Sequence, residues 1–156
     1  MKIRILAVGT RMPGWVEQGF QDYRQRIQAS CQLELVEIPL AKRTKTSDIK
    51  RVMEQEASAI EKQLRPRERL VVLDVIGKSI STAKLAAKLA HWQMEGEDIA
   101  FAIGGPDGLD HRIKQKSAES WSLSALTMPH PLVRLLLIEQ LYRGLMINSN
   151  HPYHRE

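Results

Sequence analysis

The chain has one cysteine, no long uninterrupted apolar run and none of the common metal or nucleotide signatures, and each lack removes a class of protein. Cys31 alone cannot form an internal disulfide. The start, Met1 to Val8, holds too short an apolar stretch for a secretory signal, so the expected location is the cytoplasm. The longest segment free of Asp, Glu, Lys and Arg, 120–133, includes Ser, Thr, His and two prolines and falls short of the ~18 apolar residues of a membrane span. No membrane partner is expected. HExxH and paired-cysteine patterns are absent, and His151 and His154, three apart, lack a third ligand, so no metal is expected. Gly77-Lys78-Ser79 matches the end of a P-loop, but the glycine required five residues earlier is Val72. Gly104-Gly105-Pro106-Asp107-Gly108 lacks the G-x-G-x-x-G spacing of a dinucleotide fingerprint.

What is present is a globular composition: 156 residues, 43% hydrophobic and 26% charged. Those proportions predict one domain, 1–156, that folds unaided or as a small oligomer. Lys and Arg number 23 against 18 Asp and Glu, a net charge of +5. That sign suits a polyanionic partner, and equally a basic surface that serves solubility alone.

The residue pattern alternates strands with helices. Lys2–Val8 alternates and then runs apolar into Gly9, as a strand entering a core does. Val16, Phe20, Tyr23 and Ile27 recur at helical spacing. Residues 33–38 read as a second strand, and Ile49, Val52, Met53, Ile60 and Leu64 give a second helix whose stripe is interrupted only at Glu56. Residues 70–76 predict a strand buried on both faces, with Gly77-Lys78 as its turn, and Ser81 is placed to cap a third helix. The most apolar strand, 99–103, stops at the glycine loop, where positive φ is expected, and a short polar helix follows. Residues 121–124 predict a fifth strand, and 132–148 a last helix too apolar for a single stripe, whose second side another subunit would cover. The whole predicts an α/β fold: a parallel sheet with helices on both faces and ligands beyond the carboxyl ends of the strands.

Three segments carry candidate chemistry. Glycines after a buried strand let backbone amides approach a ligand, or simply make a tight turn. Lys42, Arg43, Lys45, Lys50 and Arg51, opposed only by Asp48, form the densest basic run, and each phosphate neutralised there would add salt-sensitive affinity. The non-periodic interval 40–47 is expected to be mobile until RNA binds. The tail Tyr153-His154-Arg155 combines a stacking ring, an imidazole and a cation, groups that suit an RNA base and its phosphates. Glu139 and Arg143, four apart on the last helix, are spaced to pair, and Arg143 is a site candidate because it lies near the tail.

Residues 103–109, 123–134 and 150–154, with Ile5 to Gly9 at the start, closely resemble the small ribosomal-RNA methyltransferases of the SPOUT superfamily. The likeness covers essentially the whole chain. It implies a trefoil knot in the C-terminal half, an exception to the rule against threading. It implies S-adenosyl-L-methionine as cofactor and a homodimer that methylates N3 of a pseudouridine in helix 69 of 23S rRNA on the assembled 70S ribosome. The family's cofactor contacts fall on Leu73, Gly104, Leu123, Ser124, Ala125, Leu126, Thr127 and Met128. The resemblance makes Arg134, Arg143, Tyr153 and His154 the candidates for the target nucleotide; Arg143, Tyr153 and His154 are the catalytic candidates, the tail of one subunit completing the site of the other. His154 is the candidate general base. A non-catalytic ribosome-binding factor and a SPOUT enzyme acting on transfer RNA are the competing readings.

Overall fold

The computed structural model describes residues 1–154. Strands and helices alternate along it: β1 (Lys2–Val8), α1 (Gly14–Ile27), β2 (Gln32–Ile38), α2 (Ile49–Glu61), β3 (Glu68–Ser79), α3 (Thr82–Glu95), β4 (Asp98–Ile103), α4 (His111–Lys116), β5 (Glu119–Ser122) and α5 (His130–Asn148). A turn of 3-10 helix, Pro152–His154, follows. The strands form one sheet of order β2-β1-β4-β3-β5, with every pair parallel. The predicted α/β parallel architecture is therefore present.

Alternation along the strands sorts the core into two layers. Ile3, Ile5 and Ala7 of β1 face one side with Phe20 of α1, Leu89 and Trp92 of α3, and Leu137, Ile138 and Leu141 of α5. Leu6 and Val8 face the other with Ala57 and Ile60 of α2 and Ile113 of α4. Helices thus cover both faces, and the sheet is shielded as parallel sheets require. The expected cap is present: Ser81 accepts a hydrogen bond from the Lys84 amide at the start of α3; Asp110 likewise accepts from the Arg112 amide before α4.

Two readings need correction. Gly77 is not a turn residue; β3 continues to Ser79, and a Cβ on Gly77 would stand 2.6 Å from the Trp121 carbonyl carbon. Close passage of β5 is what demands glycine there. Val75 and Ile76 are not buried but 65% and 84% exposed, because the β3–β5 register breaks between Leu73 and Lys78 and the intervening residues leave the ladder. The positive φ expected in the glycine loop is present, at Gly108, +81°. The last two elements also begin earlier than the pattern suggested, β5 at Glu119 and α5 at His130. Arg4, in a strand position flanked by apolar neighbours, is buried. Its guanidinium donates to the Gln63 carbonyl at 2.8 Å and pairs with buried Glu68 at 3.0 Å.

Candidate active site

The carboxyl ends of β3, β4 and β5 open into a cleft of about 790 Å³. Leu73, the last β3 residue paired with β4, lies at its floor, Gly104 follows β4, and the stretch from Trp121 to Ser124 leaves β5 along its wall. Leu126, Thr127 and Met128 complete the rim, with Leu126 73% exposed. Of the eight cofactor candidates, seven line this one cleft: Leu73, Gly104, Leu123, Ser124, Leu126, Thr127 and Met128. Ala125 is exposed between them and is not among the lining residues.

The wall is shaped by its own polar groups. The Ser122 hydroxyl donates to the Ser124 carbonyl at 2.9 Å, and the Ser124 hydroxyl accepts from the Leu126 amide at 3.0 Å, so the chain turns after β5 without a helix or strand to hold it. Opposite, the Gly108 amide donates to the Gly105 carbonyl at 3.0 Å and closes the glycine loop. A Cβ on Gly104 would stand 2.4 Å from the Gly108 carbonyl carbon. The loop can be this tight only with glycine at that position. Asp74 pairs with Lys114 at 2.6 Å across the lip.

His130 lines the cleft at the start of α5. Its ring lies over Gly9, with Cε1 3.0 Å from where a Gly9 Cβ would stand, and its buried Nδ1 has no hydrogen-bond partner among the described residues. Burial holds this imidazole below its ordinary range; the positive charges of Arg134 and Arg43 act in the same direction and Glu56 opposes them. Above pH about 6.5 the ring is neutral whether the chain is folded or not. As the pH falls below that value, the unfolded chain takes up a proton that the folded chain refuses, and stability declines until the folded ring itself titrates. His130→Asn should flatten this part of the pH dependence in denaturant unfolding; an unchanged slope would refute the assignment.

Arg134, one turn further along α5, is 2% exposed. It pairs with Glu37 at 2.6 Å and donates to the Gly9 carbonyl at 3.1 Å, tying α5 to the ends of β1 and β2. These two contacts hold the fold beside the cleft, a role the sequence did not suggest, while the buried Nε has no hydrogen-bond partner among the described residues.

The three catalytic candidates cluster elsewhere. Arg143 pairs with Glu139 at 2.7 Å, as the spacing indicated, and its guanidinium lies 4.9 Å over the Tyr153 ring. The Tyr153 hydroxyl donates to Glu139 at 3.2 Å and lies 3.1 Å from the Tyr23 hydroxyl, while its ring meets that of Tyr142 edge-on at 4.6 Å. Burial, the Tyr23 hydrogen bond and the Glu139 charge all push its phenol pKa up, so Tyr153 keeps its proton and acts as a donor. His154 closes the 3-10 turn beside it; Arg155 lies outside the described residues. From His130 to Arg143, α5 rises about 20 Å. Within one chain Arg143 therefore stands about 20 Å along α5 from His130, and Tyr153 folds back to Glu139.

Among the described residues no group of three or more His, Cys, Asp or Glu side chains is placed to hold a metal ion, and no helix is long and apolar enough to cross a membrane.

An all-parallel sheet with its cleft beyond the strand ends, walled by a glycine loop and apolar side chains, has the build of an α/β enzyme that binds a nucleotide-like cofactor. The chain belongs to the SPOUT methyltransferase family: the family described as "Predicted SPOUT methyltransferase" matches residues 1–154. It is an enzyme of that family, and its reaction uses a methyl donor. The chain is 53% identical to "Ribosomal RNA large subunit methyltransferase H" of Acinetobacter baumannii over 158 residues, covering 99% of each chain. A protein of the same name from Saccharophagus degradans is 52% identical over 155 residues, covering 99% of this chain and all of that one. Among solved structures, a probable methylase family protein from Haemophilus influenzae Rd KW20 shares the fold, with TM-score 0.57 and 18% identity over 97% of this chain and 69% of that one.

Proposed function

We propose that this enzyme transfers a methyl group from S-adenosyl-L-methionine to N3 of a pseudouridine in helix 69 of 23S rRNA on the assembled 70S ribosome, acting as a cytoplasmic homodimer. The observation that carries the reading is near-full-length identity, at about half of all positions, to proteins named for methylating large-subunit ribosomal RNA. The chain would then be a single methyltransferase domain, 1–156, with a trefoil knot in its C-terminal half. The close passage of β5 against Gly77, where β3 leaves its ladder, is consistent with such a threading.

The cleft fits the donor. Its volume falls in the range of small-molecule sites, its floor offers Leu73, Ile103 and Val133 to a purine, and the tight glycine loop brings backbone within reach. Bound there, S-adenosyl-L-methionine supplies a methyl group already activated on a positive sulfur. The protein's own tasks are to align the acceptor, exclude water and help a proton leave N3. Alignment alone is worth roughly 7 to 11 kcal/mol in well-oriented systems. A general base adds about 10² to 10⁴ in rate, and His154 is the imidazole assigned to it. Because Arg143 stands about 20 Å along α5 from His130 at the cleft, a second copy would bring the tail cluster there. Leu136, 36% exposed on α5, and the half-buried Leu132 and Leu135 offer apolar surface for that association.

The test is transfer of labelled methyl to 70S ribosomes that carry the pseudouridine but lack the mark, followed by mapping. Label at N3 in helix 69 is the expected result. Label on transfer RNA, or equal label on an isolated helix 69 hairpin, would overturn the substrate assignment.

A further inference from the structure

Glu56 interrupts the apolar stripe of α2, yet it is buried at 4% exposure. Buried carboxylates persist when they are paired, and here the partner is Arg43 from the loop between β2 and α2. Arg43 Nη1 donates to Glu56 Oε2 at 2.9 Å and Nη2 to Oε1 at 3.1 Å, while Nη1 also reaches the Ala41 carbonyl at 3.0 Å. Its remaining nitrogen, Nε, donates to Asp107 at 2.8 Å. Asp107 sits in the glycine loop at the cleft. The Glu56 carboxylate also accepts from the Ala41 amide at 3.1 Å, and a Cβ on Gly105 would stand 3.0 Å from Leu40 and 3.5 Å from Glu56. The underside of the glycine loop thus rests on Glu56 and Leu40, and its tip is held by Arg43.

This arrangement contradicts the simplest reading of a basic run. Arg43 is one of five cations in the stretch 42–51, but all three of its nitrogens are committed inward. Lys42, Lys45, Lys50 and Arg51 are exposed, and none of them forms an ion pair among the described residues. Within the loop, besides the Glu56 anchor, the Thr44 amide donates to the Ser47 hydroxyl at 2.7 Å.

We propose that Arg43 is a positioning residue for the methyl donor rather than a contact to RNA: through Glu56 and Asp107 it holds the glycine loop in its binding shape. Its neighbours Lys42 and Lys45 meet the phosphates. Two residues adjacent in sequence, Lys42 and Arg43, therefore serve different substrates. Both sides of this division rest on the function proposed above, the donor side on S-adenosyl-L-methionine lying in the cleft and the RNA side on the ribosomal substrate.

The experiment separates the two. Titration calorimetry with S-adenosylhomocysteine, in the absence of any RNA, reads the donor site directly. Arg43→Ala should weaken binding between about ten- and a hundredfold, as expected for lost hydrogen bonds between charged groups. Arg43→Lys, a point charge that cannot span Glu56 and Asp107 together, should fall between wild type and Arg43→Ala. Asp107→Ala leaves the Glu56 pair intact and guards against a folding defect in Arg43→Ala. If Arg43 acts through Asp107, the double variant should be no weaker than the worse single one. In turnover, Lys42→Ala and Lys45→Ala should raise KM for ribosomes and each lower the salt slope of ribosome binding by about one unit, with donor affinity unchanged. Arg43→Ala with wild-type affinity for S-adenosylhomocysteine and a raised ribosome KM would overturn the proposal. Wild-type protein that does not bind S-adenosylhomocysteine would instead overturn the donor assignment on which the proposed function stands.

Discussion

Gly104→Ala is expected to remove measurable binding of S-adenosylhomocysteine and to reduce turnover by at least about 10², the largest effect of any single-atom change in the cleft. The added Cβ would stand 2.4 Å and 2.6 Å from the Gly108 carbonyl carbon and oxygen, and 2.8 Å from the Leu109 nitrogen. All three atoms are backbone, so no side chain can swing aside. The loop must open, and with it moves the wall that the donor would lie against. Overpacking of this kind costs about 1–3 kcal/mol in stability, so thermal unfolding should register the variant as well. Gly108→Ala is the control. Its Cβ would meet nothing within 4 Å, and its penalty is only that of positive φ. Gly108→Ala should therefore lose stability while retaining weakened binding. Equal donor affinity in Gly104→Ala and wild type would show that the ligand lies elsewhere.

The second large effect comes from mixing two inactive proteins. Arg143→Ala/His154→Ala keeps its cleft and loses its tail chemistry; Gly104→Ala keeps its tail and loses its cleft. Each alone should be inactive on ribosomes. Co-expressed and randomly paired, they should recover about a quarter of wild-type activity: half the dimers are mixed, and each mixed dimer joins one intact cleft to one intact tail. If both halves of the site came from the same chain, no mixed dimer would contain a complete site and the mixture would stay as inactive as its parents. The roughly 20 Å between the α5 N-terminus and Arg143 favours the first outcome.

The elements of this fold were readable because each side chain's environment follows from the period of its own segment. Phe20 and Ile27 of α1, Leu85, Leu89 and Trp92 of α3, and the continuous apolar run of β4 all lie where three- and four-residue or unbroken spacing puts them. Seven of the eight candidate cofactor contacts converge on one cleft although they come from three separate stretches of chain. What period could not convey was anything set by a neighbour distant in sequence. Gly77 looks like a turn glycine until β5 is laid against it. Val75 and Ile76 look like core until the ladder breaks beneath them. Arg4 and Arg134 look like surface, but each is buried against acidic partners that lie 30 to 97 positions away in the chain. Glu56 was the one internal clue: a charge in the middle of an apolar stripe signals a buried partner, and asking which cation met it would have led to Arg43. His130 gave no such clue, since a histidine between two prolines reads as loop.

The strand order has a consequence for how the chain reaches this state. β1 lies inside the sheet, with Ile3 paired to Leu33 on one side and to Ile99 on the other. During synthesis its second edge must wait until β4 has emerged, and β3 in turn waits for β4 before it can join β1 through it. An amino-terminal fragment ending before Asp98 would hold β1-β2 as a lone parallel pair with an apolar edge exposed, and such unpaired edges invite association with other chains. Pairings this remote in sequence also make folding slow relative to helical proteins of the same length. The nascent chain therefore acquires its sheet late and nearly all at once, when β4 slides between two strands already made.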